Sequence, residues 1–183
     1  TRDFNNSGAN TTQTIILDGG YISNAGITGN NGGGAGLILK NNVTVTSNGG
    51  TLYSGNGWGL PARFLDIVSG SGPLTVSGSY GAEFQGDTSA YNSTLTGSSG
   101  TIFFNPSAGT QAFNGIIAGS RPVTKKGNGT TVLTNANTYT GATTVNAGWL
   151  NLSGSLKSAI TVSSGGGLVG AGSTTGNITF NNG

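Results

Sequence analysis

The chain has no cysteine, no methionine and no histidine among its 183 residues. The lack of cysteine excludes disulfides and thiolate metal ligands, and the lack of His and Cys removes the usual pairings of nucleophile and base. Charge is also scarce, with seven Lys and Arg against five Asp and Glu. A net charge of +2 over this length makes almost no electrostatic field, so we expect no nucleic-acid partner. The one basic cluster, Arg121, Lys125 and Lys126, is interpreted as a solvated loop.

The acidic residues offer little for catalysis or metal binding. Only Glu83 and Asp87 are close in sequence, and in a coiled fold Asp66 would lie one coil below them. Paired carboxylates of this kind carry out polysaccharide cleavage in many glycosidases. We nevertheless interpret these three as solvated loop carboxylates. The sequence therefore predicts a protein that is not an enzyme, with no catalytic residues, no metal and no cofactor.

Long apolar runs and helical patterns are missing as well. No stretch approaches 18 consecutive apolar residues, so we expect no transmembrane helix and no direct membrane insertion in this segment. No stretch shows the i, i+3, i+4, i+7 spacing of an amphipathic helix. There is no signal peptide, and the sequence opens on Thr1. We interpret residues 1–183 as a single segment of a longer chain.

Short apolar blocks bounded by turn residues fill the chain instead. They alternate Val, Ile, Leu or Phe with Thr, Ser or Asn over three to five residues, and Gly, Asn or Ser ends each one. Examples are Thr14–Leu17, Val43–Thr46, Phe64–Val68, Thr101–Phe104, Thr143–Val145 and Ile160–Val162. The pattern predicts an all-β fold, and the ordered apolar blocks argue against a flexible Gly/Ser-rich tract.

Two all-β architectures compete for this pattern. A sandwich or barrel requires longer strands and more large apolar residues than the chain supplies. A parallel β-helix accommodates very short strands, turns of similar length and a small interior. At roughly 22 residues per coil the length corresponds to about eight coils. We therefore predict a parallel β-solenoid whose coils stack on one another.

One stretch, residues 126–152, carries a sharper signature. It runs KGNGTTVLT and then NTYTGATTVNAGWLNL. This resembles the passenger-associated transport repeat, also called the autotransporter-associated β-strand repeat, whose pattern is K-x-G-x-G-T-L-x-L followed by N-T-Y-T-G-x-T-x-V-x-x-G-x-L-x-L. Thr131-Val132 departs mildly from the usual Thr-Leu step, and Trp149 is bulkier than the usual Thr or Lys.

The resemblance implies a right-handed parallel β-helix in the exported passenger of a type V-secreted or similar surface protein, located outside the cell or on the bacterial outer surface. It also implies that the repeat supports export and folding. We expect interior positions for Val132, Val145, Leu150 and Leu152 and corners at Gly141 and Gly148, with Asn137 and Tyr139 closing the long turn and the Tyr139 ring over the coil edge. The structural repeat residues are Gly127, Gly129, Asn137, Tyr139, Gly141, Val145, Gly148, Leu150 and Leu152.

Three functions remain open at this point. The first is a structural passenger or stalk, whose partners are its own neighbouring coils. The second is a subunit of an extracellular filament in which like subunits stack end to end. The third is an adhesin module that binds a glycan or host surface, with Trp58 as the contact residue and Tyr53, Tyr80 and Tyr91 as companions.

Overall fold

The computed structural model describes residues 14–23, 37–55 and 59–181, and these residues form 22 β-strands. In chain order the strands are β1 (Ile15–Leu17), β2 (Tyr21–Ser23), β3 (Ile38–Leu39), β4 (Val43–Val45), β5 (Gly50–Tyr53), β6 (Ala62–Phe64), β7 (Val68–Gly70), β8 (Leu74–Ser77), β9 (Ala82–Phe84), β10 (Thr94–Gly97), β11 (Ile102–Phe104), β12 (Thr110–Phe113), β13 (Ile116–Gly119), β14 (Val123–Lys125), β15 (Thr130–Leu133), β16 (Thr143–Val145), β17 (Gly148–Leu152), β18 (Ser155–Leu156), β19 (Ile160–Val162), β20 (Gly166–Val169), β21 (Ser173–Thr174) and β22 (Ile178–Phe180). Across these ranges, no helix is long and apolar enough to span a membrane.

The strands stack as parallel sheets that run along the coil axis. The long sheet takes one strand from each successive coil, in the order β3, β6, β9, β11, β14, β16, β19 and β22. A five-stranded sheet (β2, β5, β8, β10, β13) and a three-stranded sheet (β1, β4, β7) cover the early coils. A four-stranded sheet (β12, β15, β17, β20) and a two-stranded sheet (β18, β21) cover the later ones. The predicted all-β solenoid of parallel coils is confirmed.

The coils are not of uniform length. In the described residues about six complete turns follow one another without a gap, between Ala62 and Ile178, slightly fewer than the eight predicted. The paired residues Ile15 and Val43 are 28 residues apart, whereas Ile160 and Ile178 are 18 apart. Coil length therefore varies along the chain, so a single average length does not describe every turn.

Side chains alternate between the interior and the surface along each strand, as the period of two requires. In the long sheet the first and third residue of most strands face inward and the middle one faces outward. Phe64, Phe84 and Phe104 occupy the third position in successive coils, and their rings stack with centroids 4.9 and 5.7 Å apart. Phe113, from the four-stranded sheet, meets Phe104 edge-on at 5.3 Å. This aromatic column forms the core of the middle coils.

Candidate functional site

The candidate site is the pair of coils that contains the signature stretch, and glycines set its corners. Gly127 (φ +72°) and Gly148 (φ +63°) both adopt the left-handed conformation that favours glycine. Gly141 has an ordinary φ, but a Cβ there would collide with the backbone of Arg121 one coil earlier. Glycine is therefore required in the repeat for two reasons. Gly127 and Gly148 adopt a turn conformation with positive φ, and Gly141 lies too close to the preceding coil to carry a side chain.

The interior of these coils differs in part from expectation. Val145, Leu150 and Leu152 lie inside and are at most 5% exposed. Val132 does not: it faces outward, and its neighbours Thr131 and Leu133 are the fully buried residues of β15. The assignment of Val132 to the interior was wrong by one position, which in a strand moves a side chain to the other face.

Asn137 is buried inside the long turn of the repeat, and its side chain replaces strand pairing there. The Asn137 side-chain carbonyl accepts a hydrogen bond from the backbone N–H of Ile117, one coil earlier, at 2.9 Å. Its amide donates to the carbonyl of Asn135 at 2.7 Å, and its own backbone N–H donates to the carbonyl of Ser155, one coil later. Asn137 therefore connects three successive coils.

Tyr139 is fully buried rather than lying over the coil edge. Its hydroxyl shares a hydrogen bond of 2.6 Å with the hydroxyl of Thr143, which shares another of 2.6 Å with Ser158 in the next coil. Burial raises the pKa of Tyr139, although the hydrogen bonds to Thr143 and Ser158 oppose that shift. The ring faces inward, and the bond to Thr143 supplies its buried hydroxyl with a partner. The expectation of an edge position was wrong.

Lys125, immediately before the predicted repeat, occupies the interior column of the long sheet between Phe104 and Val145. It is 1% exposed. Its ammonium donates to the carbonyls of Lys126 at 2.5 Å, Gly127 at 2.8 Å and Ala147 at 3.0 Å. Burial lowers the pKa of Lys125 to about 8. The interpretation of this residue as part of a solvated loop was wrong, since the ammonium binds the corners of two consecutive coils from inside.

Lys126 points the other way, across the outer face of the long sheet. Its ammonium lies 4.4 Å from the centre of the Phe103 ring and pairs with the Glu83 carboxylate at 2.8 Å, two coils away. Glu83 also accepts hydrogen bonds from Gln85 at 2.5 Å and Asn105 at 2.9 Å. We call these residues the outer clamp: Glu83, Phe103, Asn105 and Lys126. It joins the aromatic part of the stack to the repeat.

The carboxylates considered for polysaccharide cleavage have separate local partners. Burial tends to raise the pKa of Glu83, but the hydrogen bonds from Lys126, Asn105 and Gln85 and the Lys126 charge hold it below its ordinary value. Asp87 accepts from the backbone N–H and the hydroxyl of Ser89, and Asp66 accepts from the N–H of Ile67. Within the described ranges, no three His, Cys, Asp or Glu residues group closely enough to hold a metal ion.

The aromatic residues considered for binding are scattered. Trp58 lies outside the described residues. Tyr53 is 39% exposed, whereas Tyr91 is buried, with its hydroxyl hydrogen-bonded to Leu74, Gly72 and Thr94. Tyr80 is half-buried. Sequence reasoning did not select Trp149, which is 48% exposed on the outer face of β17. The signal that could have selected Trp149 was its departure from the family pattern at a strand position that faces outward.

Comparisons with known proteins agree with the resemblance inferred from the sequence. Residues 123–152 match the model of the Passenger-associated-transport-repeat, a range that also takes in Lys125. A segment of 57 residues is 42% identical to the "Adhesin BmaC autotransporter" of Brucella suis biovar 1 (strain 1330). That segment is 31% of this chain and about 2% of the adhesin, so the chain spans a very small part of that relative. No solved structure matches the chain.

Proposed function

We propose that this chain is a structural segment of the exported passenger of a bacterial surface or secreted protein, in which residues 126–152 support folding and export. The observation that carries the proposal is the buried polar network of the repeat. Asn137 bonds to the coil before and the coil after, and Tyr139 is connected to Ser158 of the next coil through Thr143. The matching repeat family and the adhesin relative support the passenger assignment.

The network gives the repeat a physical means of organising its neighbours. A solenoid is stabilised by contacts between adjacent coils, so folding spreads from any coil that forms first. A buried polar group stabilises the fold only when all its partners are in place. The repeat therefore fixes the register of the coils on either side of it, whereas an apolar interface tolerates small displacements. A segment with this property serves as a folding template for a chain that emerges gradually outside the cell.

The order in which the coils fold tests the proposal. Pulse-labelling hydrogen exchange during refolding should show protection of amides in residues 123–162 before those in residues 62–113. Tyr139→Phe, which removes one partner from Thr143, should slow refolding and reduce the amount of passenger displayed on cells. Tyr91→Phe is the matched control, because it removes an equally buried hydroxyl outside the repeat. Earlier protection of residues 62–113, or equal effects of both variants on display, would overturn the proposal.

Adhesion is a second candidate function. The relative carries the word adhesin in its name. In this chain Trp149 is exposed on the outer face of a sheet, where smaller side chains occupy most positions. A coil stack that projects from a cell surface presents such a face to other surfaces.

The end-to-end filament stays a prediction, and electron microscopy of the purified chain over a range of concentrations tests it: isolated rods throughout would exclude it.

A further inference from the structure

Trp149 lies on the outer face of the four-stranded sheet, directly beside Gly167 of the next coil. A side chain on Gly167 would collide with the Cε3 and Cζ3 atoms of the indole. The six-membered ring therefore covers the bare backbone of Gly167 and is held close to the sheet. Even so, 48% of Trp149 remains exposed. The pairing of Trp149 with Gly167 creates an aromatic platform that is supported from below and open to solvent.

Polar groups flank the platform on the same face. Thr130 is the strand partner of Trp149 in the preceding coil, and Asn151 follows two residues later, so both project outward beside the indole. The Asn151 carbonyl oxygen accepts a hydrogen bond from Ser153 at 3.1 Å, which orients the side-chain amide. The amide nitrogen of Asn151 and the hydroxyl of Thr130 have no hydrogen-bond partner among the described residues, so both are available to a ligand.

The chemistry of this face favours one class of ligand. None of the four strands of the sheet contains a charged residue, so the sheet offers no cationic side chain to pair with a phosphate, a sulfate or an acidic polysaccharide. An apolar ring face beside hydroxyl and amide groups suits a ligand with one C–H-rich face and hydroxyls at its edge. A neutral sugar ring has both features.

We propose that Trp149, with Thr130 and Asn151, forms a binding site for a neutral glycan, in which a sugar ring stacks on the indole. The proposal deepens the adhesion candidate and relies on the coil stack being displayed outside the cell. It is independent of the folding role of the repeat, because all three side chains face away from the buried network.

Tryptophan fluorescence offers a direct test. The chain has two tryptophans, so a Trp58→Phe background leaves Trp149 as the sole reporter. Titration with cello-, malto- and galacto-oligosaccharides should change its emission for at least one of them, whereas polygalacturonate and heparin should give no change. Calorimetry on the same background should show that Trp149→Ala weakens binding about tenfold or more, and that Asn151→Ala weakens it by a smaller factor.

Two further variants separate the site from general effects on the fold. Tyr53→Ala, which removes another exposed aromatic residue on a different sheet, should leave glycan affinity unchanged. Trp149→Phe should retain part of the affinity, and it stands in for Trp149→Ala if the latter fails to fold. No response to any neutral oligosaccharide, binding of only the charged polymers, or undiminished affinity in Trp149→Ala would overturn the site. Cell-surface display of Trp149→Ala distinguishes the two proposals, since normal display with lost binding leaves the folding role intact.

Discussion

Two parts of the same solenoid build their cores in different ways. In the aromatic coils (residues 62–113) the long-sheet column is a stack of phenylalanines. In the repeat coils (residues 123–162) the same column continues with Lys125, Val145 and Val162. Phe64 and Phe84 are 20 residues apart, and Lys125 and Val145 are also 20 apart. The change therefore lies in the side chains and not in the coil length: aliphatic and buried polar groups take the place of the phenylalanine rings in this column.

The two kinds of core make different contributions to the solenoid, one to its stability and the other to the register of its coils. Stacked rings bury much apolar area and contribute most through dispersion and the hydrophobic effect, which have little directional preference. Hydrogen bonds inside the repeat coils contribute less each but require specific partners. We therefore expect the aromatic coils to contribute most of the stability and the repeat coils to fix the alignment of their neighbours. The outer clamp connects the two, from Glu83 in the aromatic coils to Lys126 in the repeat.

The largest expected effect comes from the aromatic column. Phe84→Ala removes the central ring, which stacks on Phe64 on one side and Phe104 on the other, and should lower the free energy of unfolding by about 3–5 kcal/mol. Val145→Ala is the counterpart in the repeat coils and should cost about 2 kcal/mol, because it removes two buried side-chain carbon atoms. Denaturant titration followed by circular dichroism measures both. Equal losses would show that the two cores do not differ in cohesion.

An intermediate effect is expected at Lys125. Lys125→Met keeps an unbranched apolar stem but leaves the carbonyls of Lys126, Gly127 and Ala147 without their common donor. We expect a loss of about 2 kcal/mol, together with faster amide exchange at the corners of the repeat coils. Lys157→Met is the control, since it removes an exposed charge and should cost under about 1 kcal/mol. A Lys125→Met protein as stable as the parent would show that the ammonium does not hold the corners.

The smallest effect concerns the outer clamp and depends on pH. The folded-state pKa of Glu83 lies below its ordinary value of 4.5, so its contribution is complete above that pH and is lost as the pH falls through the lower, folded-state value. Glu83→Gln should therefore destabilise the chain by about 1 kcal/mol at neutral pH. The gap between the two proteins should close below about pH 4.5. Asp87→Asn is the control, and a gap of constant size down to acidic pH would contradict the assigned role.

Some of this arrangement could be predicted from the sequence and some could not. The short alternating blocks predicted β11, β16 and β19, because a period of two and flanking turn residues are local properties. The polar interior escaped prediction. Lys125 and Lys126 are adjacent in the sequence and carry the same charge. Lys125 ends β14 at an inward-facing position, so its ammonium lies in the core, whereas the ammonium of Lys126 lies across the surface. Tyr139 and Val132 were misplaced for the same reason, since facing depends on the register with neighbouring coils.

The stack of short strands and the resemblance of residues 126–152 to an export-associated repeat both follow from the sequence. Composition, alternation and turn residues act within a few positions, so they need no knowledge of the fold. The contacts between residues of different coils appear only in the folded structure: Glu83 with Lys126, Tyr139 with Ser158 through Thr143, and Trp149 with Gly167. Those contacts depend on the length of every coil between them, and coil length is set by the pairing of strands along the axis and not by any local pattern.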